Sequence, residues 1–217
     1  LIDGVRTVSA TLGESSYNHI PLSQIDRVEV VRGSASSVYG ADAIGGVVQI
    51  FTRKPKDGAA HGSIGAKVGT DGQRGVDANV GGRVGDFSYQ LSAGTERTDG
   101  GFSATRSDKA FGHHPDEDGY KNQSSSGRVA YEWAEGHEIS ANALRIRGNT
   151  EYDYMGADNE NNIIDLSQFG IASRNQITNE IQSNLSLSVS RDKLKSLTNG
   201  QLDDFWGTKS YYNSKSS

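Results

Sequence analysis

The chain has 217 residues, 34% of them hydrophobic and 23% charged, with a formal net charge of −5 and no cysteine. That apolar share is lean for a packed globular core of this length, the acidic balance argues against nucleic acid as a partner, and disulfide staples and cysteine metal sites are excluded. With 27 glycines against 3 prolines, and Ser, Asn and Asp abundant, the composition favours many short strands joined by turns.

In chain order, Leu1-Ile2-Asp3-Gly4-Val5 reads as the middle of a strand, with neither an initiator Met nor a signal peptide, so the chain is expected to begin inside a domain. Pro21 and the spacing of Leu22, Ile25 and Val28 predict a short helix. A strand over Val28 to Arg32 follows, then a helical or loop segment from Ser34 to Ala43, then the apolar strand Val47 to Thr52. Residues 1–57 are therefore expected to form a small α/β unit. Its longest apolar run, Ala43 to Phe51, is broken by Gly45, Gly46 and Gln49 and falls short of the ~18 residues a membrane helix needs.

From Gly62 onward the period becomes two. Ile64, Ala66 and Val68 alternate with small or polar residues, as do Val76, Ala78 and Val80, then Phe87, Tyr89, Leu91 and Ala93. The pattern returns with Val129, Tyr131 and Trp133, with Ile139, Ala141 and Ala143, and with Leu185, Leu187 and Val189. Its phase slips at Leu144 and Ile146, which predicts a bulge or bend. From Lys193 to Ser217 it fades into what reads as a polar loop.

The joints between these strands alternate in length. Gly85-Asp86 and Ala134-Glu135-Gly136 are tight turns, whereas Thr98 to Gln123 and Thr150 to Ser173 read as long polar connections. A transmembrane barrel has this alternation, with short periplasmic turns and long extracellular loops, and Phe87, Tyr89, Tyr131 and Trp133 beside the short turns fit an interfacial girdle. The expected fold is thus mainly β: a partial transmembrane antiparallel β-barrel of about seven strands over residues 58–217, behind the α/β unit. A soluble sandwich with apolar inner faces is the competing reading.

The run Ile20-Pro21-Leu22-Ser23-Gln24-Ile25-Asp26-Arg27-Val28-Glu29-Val30-Val31-Arg32-Gly33, followed by Ser37-Val38-Tyr39-Gly40-Ala41-Asp42-Ala43-Ile44-Gly45-Gly46-Val47-Val48-Gln49-Ile50, resembles the plug signature of TonB-dependent outer-membrane receptors. Ser34 stands where the family usually carries Pro. The Asp42-Ala43-Ile44-Gly45-Gly46 segment looks closest to the cobalamin receptor branch. The resemblance implies residues 1–57 as the C-terminal part of a plug, an integral location in the bacterial outer membrane amid its lipid, and energised uptake of cobalamin or a related corrinoid. A ferric siderophore or haem is the alternative cargo. TonB is the implied partner, through an amino-terminal box that this stretch lacks. Glu29 and Arg32 are expected at the plug–barrel contact, since charges taken from water need partners.

The first long connection carries Asp99, Asp108 and Asp116-Glu117-Asp118-Gly119-Tyr120. Closely spaced carboxylates suit calcium, a hard cation that takes six to eight oxygens. The cobalamin receptor resemblance implies calcium at Asp116 and Asp118; Asp99, Asp153 and Asp165 are candidates for further oxygens, and a solvated acidic loop is the competing reading. A soluble calcium-binding β interaction domain is the reading from another class. His113-His114 beside the cluster reads as an exposed pair, and His19, His61 and His137 have no metal-ligand spacing. No Gly-x-Ser-x-Gly elbow or phosphate loop is present, so no enzymatic activity is expected.

Overall fold

The computed structural model describes residues 1–5, 7, 19–34, 43–55, 58–102, 117–153, 160–202 and 212–216. The strand-like amino terminus is instead a two-residue turn. Asp3 (φ 48°) and Gly4 (φ 79°) both take left-handed backbone, the geometry an Asp-Gly hairpin turn requires, and Ile2 and Val5 exchange backbone hydrogen bonds across it. The Asp3 carboxylate ties the turn down, accepting from Thr52 N at 2.9 Å and from Thr52 Oγ1 at 2.6 Å.

The expected helix near Pro21 shrinks to one 3-10 turn, Leu22–Gln24. Ile25 and Val28 belong to β1 (Ile25–Arg32), because Ile-Asp-Arg-Val-Glu-Val-Val is rich in β-branched residues that pack better on a pleated surface than in a helix. β1 pairs antiparallel with β2 (Gly46–Thr52), and Ile2 bridges β2 at Ile50. Most of the expected segment from Ser34 to Ala43 lies outside the described residues.

The rest is one antiparallel meander. β3 (His61–Val68), β4 (Arg74–Val84), β5 (Phe87–Phe102), β6 (Asp118–Ala134), β7 (His137–Glu151), β8 (Glu160–Gln176) and β9 (Gln182–Thr198) each pair with the next in sequence. The short strands β10 (Gln201–Leu202) and β11 (Tyr212–Ser216) both pair with β9. Among the described residues the sheet does not close, and no described helix is long and apolar enough to cross a membrane.

Two sequence expectations change. The Thr150 to Ser173 connection contracts to 152–159, because most of it is the 17-residue strand β8. The polar tail beginning at Lys193 is likewise strand, since β9 runs to Thr198. Joints 85–86, 135–136 and 177–181 close one end of the sheet, and 103–117 and 152–159 leave the other, where 69–73 and 199–200 are short as well.

Length explains why the pattern fades. A 17-residue strand at ~3.3 Å per residue spans about 56 Å, or about 43 Å of height at a ~40° tilt, while the apolar belt of an outer-membrane barrel is only ~25 Å tall. On the outward face the belt comprises Val76 to Val84, Phe87 to Ala93, Val129 to Trp133, Ile139 to Ala143, Phe169 with Ile171, and Leu185 to Val189, aligned by register. Beyond it, toward the long connections, the outer face of β6 to β9 turns mostly polar.

Leu187 lies at mid-belt and is 58% exposed on that outer face. Leu187→Arg is expected to cost about 2–4 kcal/mol of stability in phospholipid vesicles, as for a cation near the bilayer midplane. Ser186→Arg, on the opposite face, is expected to cost well under half as much. Urea unfolding of both variants in vesicles checks the difference.

Candidate functional site: the plug seat on the inner wall

The buried apolar cluster joins the two parts of the molecule. Ile2, Ile20 and Ile50 from the amino-terminal unit meet Leu144, Ile146 and Leu166 from the wall, with Ile25 packed alongside. Ile146 is fully buried, and Leu166 is its cross-strand partner.

This contact replaces the expected bulge. The β7 register runs unbroken past Leu144 and Ile146 on both sides. What changes is the face carrying apolar residues. Ile139, Ala141 and Ala143 point outward, whereas Leu144 and Ile146 occupy inward positions and lie under the plug. Each strand alternates faces strictly, so an apolar residue out of phase marks an inner contact patch.

Above the row of Leu144, which pairs with Ser126 and Gln168, three successive inner rows complete the seat. The first pairs Ser124 with Ile146 and Leu166, and Gln24 Nε2 donates to Ser124 Oγ at 2.9 Å in a buried bond. The next pairs Asn122 with Gly148 and Ile164, and Asn122 Nδ2 donates to the His19 carbonyl at 2.7 Å. In the third row Tyr120 stacks on the His19 ring, centroids 5.5 Å apart. Gly148 is required here, since a Cβ at that position would collide with the imidazole.

His19 is 2% exposed, its Nδ1 has no hydrogen-bond partner, and burial lowers its pKa below the usual value. The seated state therefore favours the neutral ring. Asn122 and Gly148 carry no sequence signal of this role, whereas the phase slip at Leu144 and Ile146 does.

Two groups of charges on the inner wall pair near the short turns, while Lys67 pairs with Glu96 at 2.8 Å toward the other end. Arg83 bonds Glu132 at 2.6 Å, and Glu138 is shared by Arg128 at 3.1 Å and Arg174 at 3.9 Å. Glu29 and Arg32, expected at the plug–barrel contact, are exposed on β1. Glu29 is held by Arg27 Nε at 2.7 Å, within its own strand. The contact among the described residues is made by the apolar and neutral polar side chains above.

Of the expected calcium ligands, the described ones lie apart on the wall. Asp99 and Asp165 point to the outer face, Asp99 held by Arg97 and by Arg74 at 3.0 Å, Asp165 by Arg145 at 3.2 Å. Asp118 is buried at the start of β6, Asp153 is half-buried beyond the end of β7, and Asp116 lies outside the described residues, as do His113 and His114. No group of three His, Asp or Glu side chains suited to a metal occurs among the described residues. The reason for Asp99 and Asp165 is parity: they share a face with arginines, which neutralise them first.

A small hairpin unit seated on the inner face of a meander with an apolar outer belt defines a plugged barrel. The TonB-dependent Receptor Plug Domain family matches residues 1–47. The chain is 32% identical over 197 residues to the vitamin B12 transporter BtuB of Photobacterium profundum, covering 89% of this chain and 31% of that protein. BtuB of Vibrio vulnificus is 29% identical over 168 residues, 75% of this chain and 26% of that protein. The siderophore receptor PiuA of Acinetobacter baumannii shares the fold at a TM-score of 0.71 and 14% identity, over 90% of this chain and 29% of that one. The ferric enterobactin receptor PfeA of Pseudomonas aeruginosa, solved with enterobactin, does so at 0.67 and 21%, over 98% of this chain and 36% of that one. The chain belongs to the TonB-dependent receptor family. It spans between a quarter and a third of the length of these curated relatives, 26% and 31%.

Ile146→Ala is expected to loosen the seat by about 2–5 kcal/mol, as for a buried large-to-small change. Gly148→Ala should cost about 1–3 kcal/mol through overpacking against His19. Limited proteolysis and hydrogen exchange over residues 19–32 check both. The His19 pKa is lowered in the seated state, so the stabilisation is complete above the free value of ~6.5 and is lost as pH falls below it. Protection factors in this segment, exchange rates normalised to the intrinsic rate at each pH, should fall as pH drops from about 7.5 to about 5, either side of that free value, and His19→Gln should flatten that profile.

Proposed function

We propose that the protein serves TonB-dependent uptake across the bacterial outer membrane, with cobalamin or a related corrinoid as cargo. The observation that carries the reading is the buried plug seat: Ile2, Ile20 and Ile50 on Leu144, Ile146 and Leu166, with two buried side-chain hydrogen bonds beside them. Such a contact occludes the space inside the wall while remaining limited in extent, so a pulling partner can disrupt it. TonB is the proposed source of that force.

Support for the corrinoid comes from the 32% identity to a vitamin B12 transporter over nearly the whole chain. The likeness to siderophore receptors rests on 14% and 21% identity and speaks to the fold.

The full-length protein, expressed in cells lacking their own corrinoid receptor, is expected to restore uptake of radiolabelled cyanocobalamin. Uptake should fall to background when TonB is deleted. Uptake of a ferric siderophore with none of the corrinoid would replace the cargo assignment, and uptake unaffected by TonB deletion would overturn the mechanism.

A further inference from the structure

Between the plug seat and the short turns, the inner face of β7 to β9 carries no charged side chain over three successive rows. Leu144 pairs with Gln168 and Ser190, Asn142 with Gly170 and Ser188, and Ser140 with Ala172 and Ser186. Charge resumes at the margins, with Asp192 in the row of Leu166 above and Glu138 opposite Arg174 below. Six of the nine side chains in the block carry a hydroxyl or an amide. At ~3.3 Å per residue the block runs about 13 Å along the strands.

The amides of this region lie flat against the wall. Asn142 is laid across β8 on Gly170, where a Cβ would come within 2.7 Å of Asn142 Oδ1. Gln90, in the same row, is laid over Gly81 on β4, its Oε1 occupying the space a Cβ would take. Glycine, alanine and serine fill most of the remaining positions, so the wall is recessed here. Asn142 is half-buried and its amide makes no hydrogen bond among the described residues, which leaves two donors and an oxygen for a visiting molecule.

The block is closed at the seat and open toward the short turns. Leu144 lies in the plug contact, and beside it Gln168 and Ser190 are buried, with Gln168 Nε2 donating to Ser190 Oγ at 3.4 Å. Asn142 and Ala172 are half-buried, and Ser186 and Asn184 are exposed. The cation nearest in register, Arg128 in the row of Asn142, is held by Glu138 at 3.1 Å. Such a surface holds a polar molecule by many weak contacts, since each neutral hydrogen bond made in exchange for one to water contributes little. Passage needs that balance, favourable enough to enter and weak enough to leave.

We infer that the inner face of β7 to β9 below the seat is the track along which cargo leaves, and that it takes a neutral, carboxamide-bearing molecule, with Asn142 and Ser186 as its hydrogen-bonding groups. Lifting the plug from Leu144 uncovers Gln168 and Ser190, which extend the track upward to the seat. A corrinoid fits because carboxamide arms surround its ring, and these donate to and accept from Asn142 and the serine hydroxyls. An anionic iron chelate would call for free arginine or lysine, and the block holds neither. This inference rests on the proposed uptake of a corrinoid and adds to it the wall that the cargo follows.

The test uses the full-length protein in cells lacking their own corrinoid receptor. Surface binding of radiolabelled cyanocobalamin is measured without TonB, and its uptake with TonB. The variant N142L/S186A keeps the bulk of the wall and removes an amide and a hydroxyl. Its initial uptake rate is expected to fall about tenfold, the weight of one to two neutral hydrogen bonds, with surface binding within about twofold of wild type. The variant N142Q/S186T, which retains both groups, should keep most of the rate. Wild-type uptake by N142L/S186A would overturn the inference. So would surface binding that falls in step with uptake, which would give these residues to the scaffold, or hydrogen exchange over residues 19–32 that accelerates in the variant, which would give them to plug seating. Heat-modifiable electrophoretic mobility reports the folded barrel in every variant. Should the wild type take up no cyanocobalamin, the cargo assignment falls and the track with it, whereas wild-type uptake that the variant leaves unchanged removes the track alone.

Discussion

The packing of Ile2, Ile20 and Ile50 against Leu144, Ile146 and Leu166 is the contact on which the rest depends. It is the hydrophobic cluster that ties the amino-terminal unit to the wall, and it forms where the wall offers apolar side chains on its inner face. A lone β1–β2 hairpin is marginal in water, since two strands bury too little apolar surface to offset their ordering. Docked on β6 to β8, it gains an apolar floor, two buried hydrogen bonds and a stacked aromatic ring.

The chemistry around that floor suits a contact that must hold and also release. Its hydrogen bonds join neutral groups, Gln24 to Ser124 and Asn122 to a backbone carbonyl, so separating the partners exposes amides and a hydroxyl to water rather than isolated charges. Arg83 with Glu132 and Arg128 with Glu138 meanwhile satisfy one another by the short turns. A seat built on buried ion pairs would carry a larger desolvation term in one direction and a larger loss in the other.

The same alternation of faces governs the outside. Because strands of 15 to 17 residues exceed the height of an apolar belt, each carries one chemical pattern within the belt and another above it. β9 shows both in sequence, Leu185, Leu187 and Val189 outward and then Arg191, Lys193 and Lys195 on the same face. Read as hydrophobicity alone the strand ends at Val189, and read as geometry it continues to Thr198. β8 was obscured for a related reason. Its inner seat residues Ile164 and Leu166 and its outer residues Ile163, Phe169 and Ile171 leave no single apolar face, and the intervening Asn161, Asn162 and Asp165 mimic a polar connection.

The amino-acid sequence by itself determined the architecture: the plug signature from Ile20 to Ile50, the two-residue period from Gly62, and the alternation of short and long joints. These are local properties, because the side-chain period of a strand and the backbone demands of a turn are set within a few residues. Tertiary structure alone decided which residues meet. That Leu144 and Ile146 are a floor rather than a bulge, that Gly148 makes room for His19, and that Asp99 and Asp165 face arginines rather than a shared cation all depend on strand register. Register is a relation between segments far apart in the chain, and no single stretch encodes it.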